Sequence, residues 1–429
     1  MTAPTLPPTS PWRRRTATAA ATLASAAVLV PVGASAAEDP AAPATRSAAT
    51  AAGDRATTRA LKAGRCARRY SSARDLTAKQ RLLGRTPAGA MPDGVASEPV
   101  ISRDSRRNRY VAYTSTTTST AGIVTPGRRN VYAVQRTGRM TRLANRWKVG
   151  PTRLLSDGLG GAPADGDSFS PSISGYTGRA DRPKGPRQVA FLSTATNLAP
   201  GGNPTGTSAF VTGTRGGPTR RVRVPGAARS VAISGDSKVV YVATDRGLYV
   251  EDERRVRRLV LAPGIDDVST TLNGAQAAYE RGGRIYVVNV RGGVKRIAVG
   301  REPVADGGVP DRRTRLGFVR AVAFQNGNGA FRAAIDGRRV NLQRMGTSTA
   351  ASVAVNVGGS AGVFGHRGHV CVEVSLLDPT HRRGGFDIPQ GACPAGQGSV
   401  TDVAVSSRYN YVAFTCSTGG LYLHYVGPK

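Results

Sequence analysis

Apolar residues alternate with small or polar ones in short runs along most of the chain, and the runs recur. Residues 230–250 read SVAISGDSKVVYVATDRGLYV, and residues 267–287 read DVSTTLNGAQAAYERGGRIYV. A period of two predicts β-strands, and the Gly, Asn and Asp residues between the runs predict turns. Each copy therefore predicts a β-hairpin. The following segment, YVVNVRGGVKRIAVG, predicts a second hairpin with a Gly-Gly turn.

Aromatic or apolar residues mark two corresponding columns in seven copies of this repeat. The first column is Tyr113, Phe191, Val242, Tyr279, Phe324, Phe364 and Phe414. The second column is Tyr132, Phe210, Tyr249, Tyr286, Phe331, Cys371 and Tyr422. Two hairpins per copy give four strands, and repeats of this length are typical of propeller blades. The pattern predicts an all-β fold, a β-propeller of seven four-stranded blades over residues 98–429.

The last repeat is incomplete, because the chain after Tyr422 is too short for a fourth strand. An open edge strand favours aggregation, so we expect a segment before Glu98 to supply the outer strand and close the ring. A short helix is predicted at 75–83. Closure would bring Cys66 near Cys416 and leave Cys371 to pair with Cys393, one of three possible pairings.

The N-terminal part has the features of an export signal. An arginine run at 13–15 precedes an apolar stretch and the small-residue segment Gly33 to Ala37. We interpret residues 1–36 as a signal peptide, with the Sec and twin-arginine routes both open, and residues 37–97 as an Ala/Thr/Arg-rich linker and ring-closing segment. The protein is then expected to be secreted or extracytoplasmic, and no later segment of the sequence could span a membrane.

Charge narrows the class of partner. The chain carries 60 Lys and Arg against 27 Asp and Glu, a formal net charge of +33, which favours attraction to polyanions. The basic residues are dispersed, without a dense cluster or interleaved aromatics, which argues against specific nucleic-acid binding. We expect a monomer that binds an envelope protein or an anionic wall polymer.

Residues 165–202, DGDSFSPSISGYTGRADRPKGPRQVAFLSTATNLAPGG, resemble the TolB-like, WD40-like (PD40) β-propeller repeats of secreted bacterial proteins. The shared features are a Ser-Pro-x-Ile-Ser turn and the Val-Ala-Phe that follows it. The resemblance implies a propeller used for protein or ligand binding, and it makes six blades the alternative count. TolB itself has an α/β domain before its propeller, whereas residues 38–97 are too short and too polar for one.

One further column carries the candidate site. It lies just before the first strand of each repeat and consists of Glu98, Ser170, Ser230, Asp267, Glu302, Ser352 and Asp402. In a propeller that strand lines the central channel, so the carboxylates Glu98, Asp267, Glu302 and Asp402 are predicted to form a ring at one mouth. Such a ring would bind Ca²⁺ or an organic cation of a partner. The competing interpretation is that these residues hydrogen-bond the backbone turn that enters the strand.

A second candidate is the Gly-rich segment DGLGGAPADGDS, where Asp165 and Asp167 form a weak metal-site candidate without the EF-hand spacing. A solvated surface loop is the competing interpretation. No cofactor other than Ca²⁺ is indicated.

Recognisable enzyme motifs such as His-Glu-x-x-His and the phosphate-binding loop are absent from the sequence. We therefore predict a non-enzymatic binding or scaffolding module at the cell envelope. Two alternatives stay open. One is a propeller hydrolase or lyase that acts on an extracellular anionic polymer with the ring carboxylates, and the other is attachment to such polymers through charge alone.

Overall fold

The protein is described from a computed structural model. It describes residues 80–102, 110–137, 148–175, 187–252, 255–306, 309–310, 317–327, 329–336, 339–345, 352–356, 361–366, 369–374, 384–388, 393–406 and 411–425. The predicted signal peptide 1–36, residues 37–79 of the predicted linker and Cys66 lie outside the described residues.

The described strands form seven four-stranded antiparallel sheets. Six of them, blades 1 to 6, are each made from a single stretch of chain with strands in sequence order from inside to outside. Blade 1 contains β2 (Ala96–Ile101), β3 (Tyr110–Ser115), β4 (Asn130–Thr137) and β5 (Lys148–Leu154), after β1 (Gln80–Leu82). Blade 2 contains β6 (Ser168–Ile173), β7 (Gln188–Ser193), β8 (Ser208–Gly213) and β9 (Arg220–Arg221). Blade 3 contains β10 (Ala228–Ile233), β11 (Val239–Thr244), β12 (Gly247–Asp252) and β13 (Arg255–Val260).

The same order continues in the next three blades. Blade 4 contains β14 (Ile265–Thr270), β15 (Gln276–Arg281), β16 (Arg284–Asn289) and β17 (Val294–Val299). Blade 5 contains β18 (Arg301–Ala305), β21 (Ala321–Asn326), β22 (Gly329–Asp336) and β23 (Arg339–Arg344), with the inserted ribbon β19 (Val309–Pro310) and β20 (Gly317–Phe318). Blade 6 contains β24 (Ser352–Val355), β25 (Ala361–His366), β26 (His369–Val374) and β27 (Gly384–Ile388). One short 3-10 helix spans Leu159–Gly161.

The seventh sheet combines the two ends of the described chain, and we call it the composite sheet. It contains β28 (Val400–Val405), β29 (Tyr411–Cys416) and β30 (Leu421–Tyr425), and β1 pairs with β30 as the outer strand. Gln80 lies opposite His424, and Leu82 lies opposite Tyr422. The helix predicted at 75–83 is therefore wrong for residues 80–82. Their backbone N–H and C=O groups pair with an edge strand instead of with each other. The structure therefore has six continuous blades, the alternative count, and not the seven predicted from the repeat, because the last repeat supplies only three strands of the composite sheet.

The two aromatic columns lie directly opposite each other across the hairpin of the second and third strands. Tyr113 pairs with Tyr132, and Phe414 pairs with Tyr422. The same register relates the remaining five pairs: Phe191 with Phe210, Val242 with Tyr249, Tyr279 with Tyr286, Phe324 with Phe331, and Phe364 with Cys371. Five aromatic pairs stack, with ring centroids 5.2 to 6.0 Å apart. Cross-strand aromatic pairs of this kind stabilise a sheet and fix its register.

Apolar clusters between neighbouring sheets form the core. In one of them, Ile265 and Tyr279 of blade 4 pack with Tyr241 of blade 3. A cluster of the same kind joins the composite sheet to blade 1, where Leu421 and Ala413 pack with Val111. No sheet buries both of its faces alone, so stability depends on contact between neighbours.

One disulfide bond is described, and it corrects the predicted pairing. Cys393 is bonded to Cys416, which excludes both Cys66 with Cys416 and Cys371 with Cys393. The reason is geometric: the segment before β28 passes the end of β29, so Cys393 and Cys416 pack in one buried cluster. The bond encloses a short stretch of chain within the composite sheet.

In the part of the chain that the structure describes, no helix has the length and apolar character needed to cross a membrane.

Candidate functional site: the acidic mouth of the central cavity

The predicted column of polar residues is positioned by irregularities in the backbone of the inner strands. Six inner strands contain a β-bulge, where the pairing shifts by one residue. The shifts fall between Ser97 and Val100, Phe169 and Ser172, Ala228 and Ser230, Ile265 and Val268, Arg301 and Val304, and Val400 and Val403. Bulges of this kind redirect side chains and are frequent next to binding sites.

Three of the bulges contain a residue in the left-handed region. Glu98, Ser170 and Glu302 have φ of 52°, 51° and 52°, and each precedes a proline. This conformation costs roughly 1–2 kcal/mol for a residue other than glycine. The surrounding contacts of the inner strands must therefore hold it in place.

All seven residues of the column line a single central cavity of about 330 Å³. The structure thus brings Glu98, Asp267, Glu302 and Asp402 together, as the repeat alignment predicted. Three residues further along most inner strands, the cavity wall becomes apolar, at Ile101, Ile173, Ile233, Val355 and Val405. The cavity therefore combines an acidic mouth with an apolar wall.

Glu98 connects blade 1 to blade 2. Its carboxylate accepts hydrogen bonds from the Ser170 backbone N–H at 2.7 Å and from the Ser170 hydroxyl at 3.2 Å. The Thr114 hydroxyl donates a third hydrogen bond at 2.7 Å. This carboxylate satisfies the bulged backbone of the next blade, which is the structural role that the competing interpretation predicts.

Asp402 and Ser230 have similar positions at other blade boundaries. The Asp402 carboxylate accepts from the Glu98 N–H at 3.4 Å and from the Thr415 hydroxyl at 3.0 Å. The Ser230 hydroxyl accepts from the Val268 N–H at 3.0 Å. Part of the column therefore joins neighbouring sheets by hydrogen bonds.

Asp267 and Glu302 are less fully engaged. Within the described residues, the half-buried Asp267 carboxylate accepts no hydrogen bond, and the Glu302 carboxylate accepts one from the Gln325 amide at 2.6 Å. Burial, with the nearby charges of Glu302 and Glu280, raises the pKa of Asp267 to about 6. Burial also raises the pKa of Glu302, and Asp402 and Glu280 add to that rise. A nearby cation would stabilise the ionised form of a half-buried carboxylate that accepts no hydrogen bond.

Glu280 on β15 is a member of the site that the sequence reasoning missed. Its side chain is 6% exposed, and its carboxylate accepts from the Glu302 N–H at 3.2 Å. Desolvation raises its pKa. The sequence did contain a signal for this residue. The position directly after the first aromatic column holds the polar residues that contact the carboxylate column: Thr114, Glu280, Gln325 and Thr415.

The weak metal candidates lie elsewhere and contact their own loops. The Asp165 carboxylate accepts from the Thr196 N–H at 2.6 Å and from the Thr196 hydroxyl. Asp167 forms an ion pair with Arg129 at 3.3 Å. These contacts show how both carboxylates are held, and a metal at this loop stays a prediction. Among the described residues, no group of three or more His, Cys, Asp or Glu side chains is arranged to hold a metal ion.

The chain was compared with known proteins. No protein-family model and no curated protein matches it. Among solved structures it is similar to the β-propeller domain of Cps50 (Swd1) from Myceliophteria thermophila, with 12% sequence identity and a TM-score of 0.47. That match covers 79% of this chain and 99% of the other. The assignment of the fold here is based on the strand order and pairing.

Proposed function

We propose that this protein is a secreted, non-enzymatic β-propeller that acts as a binding or scaffolding module at the cell envelope. In this proposal the acidic mouth of the central cavity receives a cationic side chain of a partner protein. Asp267 carries the proposal: it is a carboxylate in the cavity wall with a raised pKa and no hydrogen-bond donor among the described residues. A bound cation would stabilise its ionised form.

The shape and chemistry of the cavity favour an organic cation, a lysine or arginine side chain. Such a side chain has an apolar stem and a charged end, which correspond to the apolar wall near Ile233 and the carboxylates Asp267 and Glu302. Ca²⁺ prefers six to eight oxygen ligands around one point, and the described residues offer no such group. A calcium-dependent rise in melting temperature that disappears in Asp267→Asn/Asp402→Asn would instead favour Ca²⁺.

Secretion and location at the envelope rest on the sequence. The N-terminal segment has the pattern of an export signal, and the repeats at 165–202 resemble TolB-like PD40 repeats of secreted bacterial proteins. Cys393 and Cys416 form a disulfide, which is common in oxidising compartments. The partner proposed here is an envelope protein, with an anionic wall polymer as a further ligand.

A pull-down from envelope extract tests this proposal. The purified protein is compared with Asp267→Asn/Asp402→Asn, which removes two ring charges while each residue keeps an oxygen acceptor. Asp157→Asn/Asp252→Asn is the control, because it removes the same charge at positions outside the cavity. We expect a discrete protein that remains bound at high salt to parent and control, and to be reduced at least tenfold with the ring variant.

Equal retention by all three proteins would contradict a role of the acidic mouth. Retention of polymer alone, lost at high salt, would leave attachment through charge, because exposed electrostatic contacts weaken as salt rises.

Asp267 also supports the second candidate function. A carboxyl group with a pKa of about 6, close to other carboxylates, can serve as a general acid near neutral pH. A hydrolase or lyase acting on an anionic polymer would release new chain ends from that polymer, and Asp267→Asn would abolish the release. No turnover of wall polymers by the parent protein would exclude this candidate.

A further inference from the structure

A second cavity lies far from the channel axis, at the outer border between the composite sheet and blade 1. We call it the seam cavity. It has a volume of about 900 Å³ and is lined by Arg81, Arg85, Thr86, Lys148, Thr120 and Thr152, among others. Arg81 belongs to β1, and Lys148 and Thr152 belong to β5. The cavity thus lies between the outer strands of two sheets whose chain segments are distant in sequence.

The described residues that line it carry only positive charge. Arg81, Arg85 and Lys148 contribute three cationic groups, and no acidic residue of the described chain lines it. Backbone contacts hold two of these side chains, since Arg81 Nη1 donates to the Gln80 carbonyl at 3.2 Å and Arg85 Nε donates to the Leu82 carbonyl at 3.1 Å. Like charges gathered in one concave surface raise the local concentration of anions.

Hydroxyl groups complete the lining. Thr86, Thr120 and Thr152 line the cavity. The Thr120 oxygen is buried from solvent, so the half-buried Thr86 is the hydroxyl offered to a ligand. The Thr86 oxygen accepts from the Ala90 N–H at 3.0 Å, which leaves its hydroxyl hydrogen able to donate.

We propose that the seam cavity binds a phosphate-bearing polyanion, with the phosphates held by Arg81, Arg85, Lys148 and the Thr86 hydroxyl. Arginine offers paired N–H donors and lysine a point charge, both suited to phosphate oxygens. Its volume exceeds that of one phosphate, so it has room for a ligand that carries several phosphates. This site is independent of the acidic mouth, and the failure of either proposal leaves the other standing.

Titration calorimetry with inorganic tripolyphosphate tests the proposal. The parent protein is compared with Arg81→Gln/Arg85→Gln/Lys148→Gln. The matched control is Arg255→Gln/Arg258→Gln/Arg339→Gln, which removes the same charge from the outer strands of blades 3 and 5. We expect saturable 1:1 binding to parent and control at 150 mM salt, and an affinity at least about tenfold lower for the seam variant. Equal loss in both variants would overturn the proposal, because general charge would then explain binding.

Two further arms keep the test decisive. Thr86→Val retains all charges, and we expect tripolyphosphate affinity to fall severalfold. An unchanged affinity would contradict a contact between this hydroxyl and the ligand. Polygalacturonate is a carboxylate polymer, and equal affinity for it would contradict the choice of phosphate. If the triple variant fails to fold, the single substitution Arg85→Gln at an exposed position provides the same comparison.

Discussion

Acidic residues are concentrated on the inner strands of the sheets, and basic residues on most of the outer strands. The inner strands hold a set of carboxylates, Glu98, Asp266, Asp267, Glu302 and Asp402. Five outer strands, β5, β9, β13, β17 and β23, contain no acidic residue, whereas β27 contains Asp387. The five strands hold Lys148, Arg153, Arg220, Arg221, Arg255, Arg257, Arg258, Lys295, Arg296, Arg339 and Arg344. A chain with a net charge of +33 therefore concentrates negative charge on its axis.

The two regions differ in how the charges are held. Most outer basic residues face water, where a charge costs little and an ion pair contributes little. Among the inner carboxylates, Glu98, Asp267 and Asp402 are half-buried. Glu98 and Asp402 each accept a backbone N–H group of the neighbouring blade. Charge on the outside thus serves solubility and long-range attraction, whereas charge on the axis affects both stability and binding.

The largest effect is expected at Glu98. Glu98→Ala removes a carboxylate that accepts three hydrogen bonds, and it leaves the Ser170 N–H without its acceptor. We expect the free energy of unfolding to fall by about 3 kcal/mol, measured by urea denaturation. Glu98→Gln retains one oxygen acceptor and should lose about 1 kcal/mol. A loss below about 0.5 kcal/mol for Glu98→Ala would show that blades 1 and 2 do not depend on this contact.

A smaller effect is expected from Asp267 and depends on pH. The native pKa is about 6, whereas the usual value is 3.8, so between these values the folded state binds more protons than the unfolded state. Stability from this group is therefore present below pH 3.8 and is lost as pH rises through about 6. After allowance for solvent screening, we expect a loss of about 1–2 kcal/mol. Urea denaturation from pH 4 to 7 should show this slope in the parent, and a slope unchanged in Asp267→Asn would contradict it.

The smallest effect is expected on the outside. The triple variant Arg255→Gln/Arg258→Gln/Arg339→Gln removes exposed charges that make no described contact with the core. We expect its free energy of unfolding to stay within about 0.5 kcal/mol of the parent value. A loss as large as that of Glu98→Ala would show that the outer charges are structural and would remove the contrast between the two regions.

The fold was largely predictable because the same pattern of apolar and polar residues recurs in each repeat. The spacing of Tyr279 and Tyr286 recurs along the chain, and a period of two fixes which residues face each other, so both aromatic columns were identified before the structure. The carboxylate column followed from the same alignment. The pattern of one repeat alone predicts the fold weakly, but its recurrence in several copies makes the prediction reliable.

What escaped prediction depends on contacts between distant parts of the chain. Three residues, Gln80–Leu82, are too few to show a strand period, and only the unpaired edge of β30 makes them a strand. The pairing of Cys393 with Cys416 depends on the path of a loop, which no spacing encodes. Glu280 belongs to the next strand of its blade, and its role appears only when the bulge brings the Glu302 N–H against it.

The most direct test of the acidic mouth is calorimetric titration with n-butylguanidinium, which has both the charge and the apolar stem of an arginine side chain. The parent protein should bind it saturably at pH 7.5 and more tightly than guanidinium alone, because the stem reaches the apolar wall. The affinity should fall at least tenfold in Asp267→Asn/Asp402→Asn and stay unchanged in Asp157→Asn/Asp252→Asn. Equal affinity in all three proteins, or no saturable binding by the parent, would contradict the account.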